Sequence, residues 1–486
     1  MKQILIYIIL IFFSFTSCQK QKNEVFVKGK FISEIPEEIT YSVPVNGICY
    51  EFYNSSTEVD SLGNFEFRIQ TETPCFITLF LMGNRGNLVV EPGENYNLTI
   101  ESKDYENQLK FECNNIKLQE EYQKLISPMH PQFESMKFLN SPISVTENKI
   151  DSLYDEEISI FKKLKSDKII SADLFDLISL DRKTYYASVL QQIATMKFVN
   201  TRRQNFETNT DSINKVWNES VTSIPLNSSN FLKSKWAYYY IQNYLLHQEY
   251  FEDGFNWEVR PKVRKEERFH TYIIDIAKRY LTGDVLEFYD AAYILSSARQ
   301  HKFEIELINL NKEFEIDFPE SNYSKYLNPV VQEIVEFHDK VAQKKEEEIK
   351  FIDNPDSIKT FADCIETLKG NKIYVDVWST SCGPCKKEFE HNEELQKLLK
   401  SKNIKKLYVS IDNDANKERW NDMIIYYNLE GYHIRANKNL YADMNSLFGI
   451  SSIPRYLLID ENGEVISADA KRPSELKELE KQIEEK

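Results

Sequence analysis

Residues 372–399 combine three patterns that few folds accommodate together. The run KIYVDVW is almost wholly apolar and is typical of a buried strand, and KKEFEHNEELQKLL has the spacing of an amphipathic helix. Between them stand Cys382 and Cys385, separated only by Gly383 and Pro384. A strand that runs directly into a helix is a building unit of α/β domains, so this segment predicts such a domain.

The residues that follow extend the same alternation. KKLYVSIDND indicates a second strand with polar residues at its end, and residues 416–428 and 439–448 indicate helices. GISSIPRYLLIDENGEVI indicates a strand, a turn and a returning strand, and the tail SELKELEKQIEEK a closing helix. Alternating strands and helices with a terminal hairpin resemble the thioredoxin-like α/β fold, which we expect over residues 351–486.

The spacing of the two cysteines favours disulfide exchange. The unpaired N–H groups and the dipole at the start of a helix favour a thiolate at Cys382, which predicts the attacking sulfur. Cys385 lies one turn further in and is predicted to resolve the mixed disulfide. Pro384 lies at the start of the helix, where its missing N–H costs the helix little stability. Half of a zinc site is the alternative, but no second CxxC, HxxxH or nearby Cys/His pair supplies the other ligands. We therefore expect no metal and no cofactor.

The residues VDVWSTSCGPC resemble the active-site segment of thioredoxins. Together with GISSIPRYLLIDENGEVI they resemble the TlpA/ResA branch of extracytoplasmic thiol-disulfide oxidoreductases. The resemblance implies that Asp376, six residues before the first cysteine, is buried behind the pair and assists proton transfer to the second. Burial in an apolar strand would raise the pKa of this carboxyl toward values useful for a base. The alternative is a capping or solvated carboxylate.

The same resemblance implies a substrate-binding set and shows two departures from the family pattern. Trp378 is implied to pack beside the active site, Pro454 to be the cis-proline, and Ile453 to pair its backbone with the substrate chain. Ser381 replaces the usual aromatic residue before the first cysteine, which opens the rim of the site. Glu390 replaces the usual helix proline, which weakens the expected kink.

The first eighteen residues are typical of a secretory signal. Lys2 precedes the unbroken apolar run Ile4–Phe13, which is too short to cross a hydrocarbon core about 30 Å thick. The residues FTSC end at Cys18 and resemble the lipobox of bacterial lipoproteins, which implies acylation of that cysteine. The alternative is an ordinary cleaved signal with an incidental cysteine. We predict a signal peptide over 1–18 and a lipid anchor.

Two further regions precede the C-terminal domain. Residues 24–113 carry short β-branched and aromatic runs with Gly and Pro turns, which predicts a β-sandwich-like domain. Its hairpin DSLGNFEF resembles a domain of unknown function that precedes thioredoxin-like lipoproteins in Bacteroidota. Residues 115–350 show apolar positions three and four apart and predict a helical domain.

Four cysteines are scattered singly. Cys49 with Cys75 are predicted either to bridge two strands or to be buried small residues, and Cys364 either to form a regulatory disulfide or to be a buried thiol. The state of Cys113 stays open.

These features predict a membrane-anchored oxidoreductase that reduces or exchanges disulfides in envelope proteins, with a membrane electron donor. The expected location is the periplasmic side of the outer membrane. A formal net charge of −16 argues against nucleic acid as a partner. One alternative is a scaffold or binding lipoprotein with an ancillary redox domain. The other is a thiol peroxidase, which the absence of PxxxTxxC before Cys382 disfavours.

Overall fold

The computed structural model describes residues 23–81, 84–103, 106–128, 130–203, 210–226, 229–251, 256, 258–343 and 348–484. The predicted signal peptide over 1–18 and the acylated Cys18 lie outside the described residues. The chain divides into two compact units. The second consists of Ala298–Ile305 and the residues from Gln332 onward, and the first consists of the rest. The predicted boundaries between domains stay predictions.

The strands of the first unit form two four-stranded sheets, ordered β4-β1-β7-β8 and β3-β2-β5-β6. Their bounds are β1 Glu24–Phe31, β2 Glu38–Ser42, β3 Asn54–Glu58, β4 Asn64–Gln70, β5 Cys75–Leu81, β6 Asn84–Val90, β7 Asn95–Lys103 and β8 Glu106–Glu112. Buried and exposed residues alternate along β1 and β4, because one face of the sheet meets the core. β1 pairs antiparallel with β4 and parallel with β7. The predicted β-sandwich-like region is confirmed.

The helices of the middle region follow. Their bounds are α1 Ile116–Gln123, α2 Pro131–Met136, α3 Ile143–Ser166, α4 Ala172–Arg203, α5 Asp211–Thr222, α6 Ala237–Phe251, α7 Val259–Lys265, α8 Phe269–Tyr280, α9 Gly283–Ala298, α10 Glu306–Asp317 and α11 Ser324–Ala342. The hydroxyl of Ser171 accepts the Leu174 amide at 3.2 Å and caps the start of α4. The buried cluster of the two sheets also contains Tyr122 and Phe161, so strands and first helices share one core. The helical middle region is confirmed.

The second unit contains a six-stranded sheet ordered β14-β13-β10-β11-β12-β9. Its strands are β9 Ile349–Phe351, β10 Lys372–Trp378, β11 Ile404–Ser410, β12 Gly431–Arg435, β13 Arg455–Ile459 and β14 Val465–Ser467. Its helices are α12 Phe361–Glu366, α13 Gly383–Glu388, α14 Asn392–Ser401, α15 Lys417–Tyr426, α16 Lys438–Phe448 and α17 Leu476–Glu484. β10 pairs parallel with β11 and antiparallel with β13, so the predicted terminal hairpin closes the sheet beside the central strand.

The predicted α/β thioredoxin-like fold is thus confirmed, with two short strands added. β9 and β12 were missed, because three and five residues without clear alternation give no pattern to read. Among the described residues, no helix is both long and apolar enough to cross a membrane.

Candidate active site

The two cysteines meet where β10 turns into α13. Cys382 is the N-cap residue of α13, with extended backbone, and its sulfur accepts the amide of Cys385 at 3.1 Å. A disulfide joins the two residues, with an S–S distance of 1.99 Å. Cys382 is 8% exposed and Cys385 is 0% exposed. The outer sulfur therefore lies at the positive end of a helix and the inner one in the protein interior.

The rim around the outer sulfur is open. Gly383 and Pro384 are exposed, and so is Ser381, whose hydroxyl lies 3.1 Å from that of Ser379. An aromatic side chain at position 381 would cover this edge, so the serine leaves the surface next to Cys382 uncovered.

Asp376 lies on β10 with its side chain 0% exposed. Its Oδ2 is 3.6 Å from Nζ of Lys406, an ion-pair distance, and neither carboxylate oxygen has a hydrogen-bond partner within 3.5 Å among the described residues. Burial raises the pKa of Asp376 to about 6, although Lys406 opposes the shift. The predicted burial and raised pKa are both present, and the capping or solvated alternative does not fit this environment.

Lys406 is the partner that the sequence reasoning missed. Its side chain is 1% exposed, and its Nζ donates to Oδ1 of Asn392 at 2.7 Å and lies 4.3 Å from the ring centre of Tyr408. Burial lowers the pKa of this lysine to about 8. A lysine inside the apolar run of β11, on the face that carries Tyr408, was the available signal.

Polar residues at the end of β11 form hydrogen bonds with the turn that precedes Cys382. The Thr380 amide and hydroxyl both donate to Asp412, each at 2.7 Å, and the Ser410 hydroxyl donates to the same carboxylate at 2.8 Å. Asp412 is buried, and these hydrogen bonds supply partners for its side-chain oxygens. This carboxylate fixes the backbone two residues before Cys382.

A segment from the helical region also contacts the site within the second unit. The carbonyl of His301 accepts a hydrogen bond from Nζ of Lys386 at 3.1 Å and from Arg419 at 3.2 Å, and Arg419 also donates to the Thr380 carbonyl at 3.3 Å. Burial lowers the pKa of Lys386, the residue after Cys385, to about 8. Phe303 stacks on Phe337 with ring centres 4.2 Å apart and anchors the segment.

The Ile453–Pro454 peptide bond is cis. Because Arg455 pairs with Val377 in the antiparallel register, Pro454 continues that register to the level of Trp378, where β10 leaves the sheet. Trp378 is fully buried and packs edge-on against Phe389 at 5.3 Å, so its indole supports the turn from inside. Substrate binding by Trp378, Ile453 and Pro454 stays a prediction.

The other cysteines of the described residues are free thiols. Cys364 is 0% exposed, and burial raises its pKa to about 12, so it is a buried thiol rather than a disulfide partner in this state. No group of three or more His, Cys, Asp or Glu side chains suited to a metal occurs in the part of the chain that the structure describes.

A disulfide at a helix N-terminus, a cis-proline at the adjacent strand end and a buried carboxyl define a thioredoxin-like redox domain. Residues 360–483 match the family model described as Redoxin. The C-terminal domain is therefore similar to the Redoxin family over these residues.

Three individual proteins are similar to part of this chain. The thiol-disulfide oxidoreductase ResA of Bacillus thuringiensis (strain Al Hakam) is 26% identical over 102 residues, 21% of this chain and 56% of that protein. ResA of Bacillus subtilis (strain 168) is 25% identical over 104 residues, 21% of this chain and 54% of that protein. A solution structure of a candidate thiol-disulfide oxidoreductase from Bacteroides vulgatus is 36% identical, covers 25% of this chain and 76% of its own, and gives a TM-score of 0.23. The chain spans little more than half the length of the two ResA proteins.

Proposed function

We propose that this chain is a thiol-disulfide oxidoreductase that reduces or exchanges disulfides in envelope proteins through Cys382 and Cys385. One observation carries the proposal: the sulfur of Cys382 caps α13 and accepts the Cys385 amide, while Cys385 lies bonded behind it. Once the disulfide is opened, the helix N-terminus favours a thiolate at Cys382.

The exchange uses both sulfurs in turn. The Cys382 thiolate attacks one sulfur of a partner disulfide, the partner S–S bond breaks, and the other partner sulfur leaves as a thiolate. The Cys385 sulfur then attacks Cys382 Sγ, which releases the second partner thiolate and forms the Cys382–Cys385 disulfide. Two electrons pass from the dithiol to the partner.

Asp376 accepts the proton that Cys385 must lose. With a pKa near 6, this carboxyl is largely ionised at neutral pH and yet basic enough to take up a proton. Lys406 stabilises the ionised form at 3.6 Å. The pair therefore supplies a base inside an apolar interior.

Protein substrates suit the shape of the site. Gly383, Pro384 and Ser381 are exposed around Cys382, and an open rim of this kind admits a folded chain that a closed cavity would exclude. Each cycle that reduces a substrate leaves the pair oxidised, so continued reduction requires an electron donor, which we place in the membrane.

The envelope location rests on the sequence of residues 1–18. The apolar run Ile4–Phe13 supports export, and Cys18 after it supports acylation. We propose that the acyl chains anchor the protein at the periplasmic side of the outer membrane. Labelling cells with an alkyne fatty acid tests the anchor. The wild-type chain should be labelled and sediment with membranes, whereas Cys18→Ala should be unlabelled.

Trapping the mixed disulfide tests the activity. In Cys385→Ser, the adduct on Cys382 cannot be resolved, so partner proteins should stay attached and be released by dithiothreitol. Cys382→Ser should trap nothing, and Cys364→Ser, which removes a buried thiol outside the pair, should exchange like the wild type. If Cys382 in the reduced wild-type protein fails to react with alkylating agents and protein disulfides, the oxidoreductase proposal is wrong and a binding role for the remaining chain is favoured.

A further inference from the structure

Arg419 is a cation that binds the turn leading to Cys382. It lies on α15, and its Nη2 donates to the carbonyl of Thr380 at 3.3 Å and to the carbonyl of His301 at 3.2 Å. Thr380 is fully buried and stands two residues before Cys382, whose own amide donates to the carbonyl of Ser379 at 3.1 Å. The guanidinium therefore contacts the backbone of the turn that carries the outer sulfur.

A second cation shares one of these acceptors. Nζ of Lys386 donates to the His301 carbonyl at 3.1 Å, and the Lys386 amide donates to the Cys382 carbonyl at 3.3 Å. Residues four apart in a helix lie on one face, so Lys386 lies on the side of α13 that carries Cys382. The side-chain hydrogen bonds of both cations end on uncharged backbone carbonyls, which leave the positive charges in place. Positive charge is therefore concentrated next to the turn before the outer sulfur.

Other charged and titratable groups surround the same turn. The groups are Asp376 on β10, Lys386 and Glu388 on α13, Asp412 after β11, Arg419 on α15, His301, Lys302 and Glu304 in the segment before α10, and Glu333 on α11. Burial lowers the pKa of Lys386 to about 8, so this lysine loses its charge within the pH range in which a thiol titrates. An arginine is not deprotonated in proteins, so Arg419 keeps its charge throughout that range.

We propose that Arg419 is a positioning residue for disulfide exchange, which holds the turn before Cys382 through the Thr380 carbonyl and stabilises the Cys382 thiolate by its charge. The inference rests on the proposed oxidoreductase function and adds a second source of thiolate stabilisation to the helix N-terminus. A positive charge close to a thiol favours its ionised form. A stabilised thiolate also stabilises the reduced pair, so a chain without this charge should be harder to reduce.

The test follows the reactivity of Cys382 against pH in the full-length, reduced protein. Cys385→Ser serves as the background, because Cys382 then cannot re-form the internal disulfide. The rate at which iodoacetamide alkylates Cys382 is measured by mass spectrometry of its peptide, and the pH of half-maximal rate is the pKa of this thiol. We expect Arg419→Met to raise that pKa by about 0.5 to 1 unit, less than the 1 to 3 units of a charge in direct contact, because Arg419 acts across the turn.

Two further variants separate charge from shape. Arg419→Lys keeps the positive charge and should keep the Cys382 pKa close to that of the background. Lys417→Met removes an exposed charge from the same helix and should leave the pKa unchanged. The role of the charge is overturned if Arg419→Lys raises the Cys382 pKa as much as Arg419→Met does, or if Lys417→Met raises it equally.

The redox equilibrium of the chain with both cysteines gives an independent measurement. Two molecules of glutathione supply the two electrons that open the disulfide between Cys382 and Cys385, and they become one molecule of oxidised glutathione. Since one pKa unit is a tenfold change, Arg419→Met should shift this equilibrium toward the internal disulfide by about 3- to 10-fold at a pH above the Cys382 pKa. An unchanged pKa and an unchanged equilibrium in Arg419→Met, with Cys382 still reactive, overturn the inference and leave the proposed function intact. A wild-type Cys382 that reacts with neither iodoacetamide nor protein disulfides contradicts the proposed function itself.

Discussion

Replacing Lys406 with Met should raise the pKa of Asp376 by an amount that the structure allows us to work out. The ammonium and the carboxylate lie 3.6 Å apart, and both side chains are almost completely buried. At that distance, Coulomb's law with an effective dielectric constant near 20 gives an attraction of about 5 kcal/mol. At about 1.4 kcal/mol per pKa unit, this corresponds to an upper value of about 3 units.

The sign follows from the charges. A positive neighbour favours the ionised carboxyl and holds the pKa of Asp376 down to about 6 against the effect of burial. Since methionine fills similar space without charge, only burial and the negative charge of Glu388 would remain, and both raise the pKa. We therefore expect the Asp376 pKa to rise by about 1 to 3 units, within the range seen for close opposite charges.

Infrared spectroscopy of the oxidised protein measures this directly, because the disulfide removes the titration of Cys382 and Cys385. The carbonyl stretch of protonated Asp376 is identified by subtracting the spectrum of Asp376→Asn and is followed against pH. Lys405→Met is the matched control, because Lys405 pairs with Ile373 on the opposite face of the sheet and should leave the pKa near 6. A carboxyl that titrates at or below pH 6 in Lys406→Met would refute the electrostatic role of this lysine.

Three further perturbations test the surroundings of the site. Asp412→Ala removes the acceptor of two Thr380 donors and should lower the free energy of unfolding by about 1–3 kcal/mol per buried donor left unpaired, measured in urea. Between about pH 6.5 and 3, the free energy of unfolding falls as the pH is lowered. His433→Phe should reduce the slope of that fall by up to about 1.4 kcal/mol per pH unit. Burial lowers the pKa of this histidine to about 3, so the unfolded chain binds the extra proton in that window. Phe303→Ala should lower the stability of the second unit by about 3–5 kcal/mol, measured by calorimetry, because a buried stacked ring is lost.

Exposed residues of the same types serve as controls for these three variants. Asp414→Ala removes a carboxylate whose side chain is 99% exposed and should change the unfolding energy little. His391→Phe removes an exposed imidazole and should leave the slope of stability against pH in place, and Phe133→Ala removes a ring that is 56% exposed. Equal effects in a variant and its control would contradict the buried contacts assigned above.

Local sequence patterns were enough to predict much of the architecture. The strand before Cys382 and the closing hairpin are contiguous runs, and their apolar spacing alone indicates strand. The single helix predicted after Cys382 is two helices in the structure, α13 and α14, with a 3-10 turn over Phe389–His391 between them. The helices of residues 115–350, such as α4, could be foreseen in the same way. Short strands such as β12 could not be predicted, because these five residues form a strand only through their pairing with β11 and β9.

The sequence by itself determined the class of domain, the close pair Cys382 and Cys385, and the acidic residue six positions before it, because these lie within one short stretch of chain. Only the tertiary structure decided what surrounds them. Lys406 faces Asp376 across neighbouring strands, and the His301 carbonyl reaches Lys386 from a distant segment. Apolar spacing states which face of an element is buried but not which residue lies opposite, since that depends on register and packing between segments far apart in the chain.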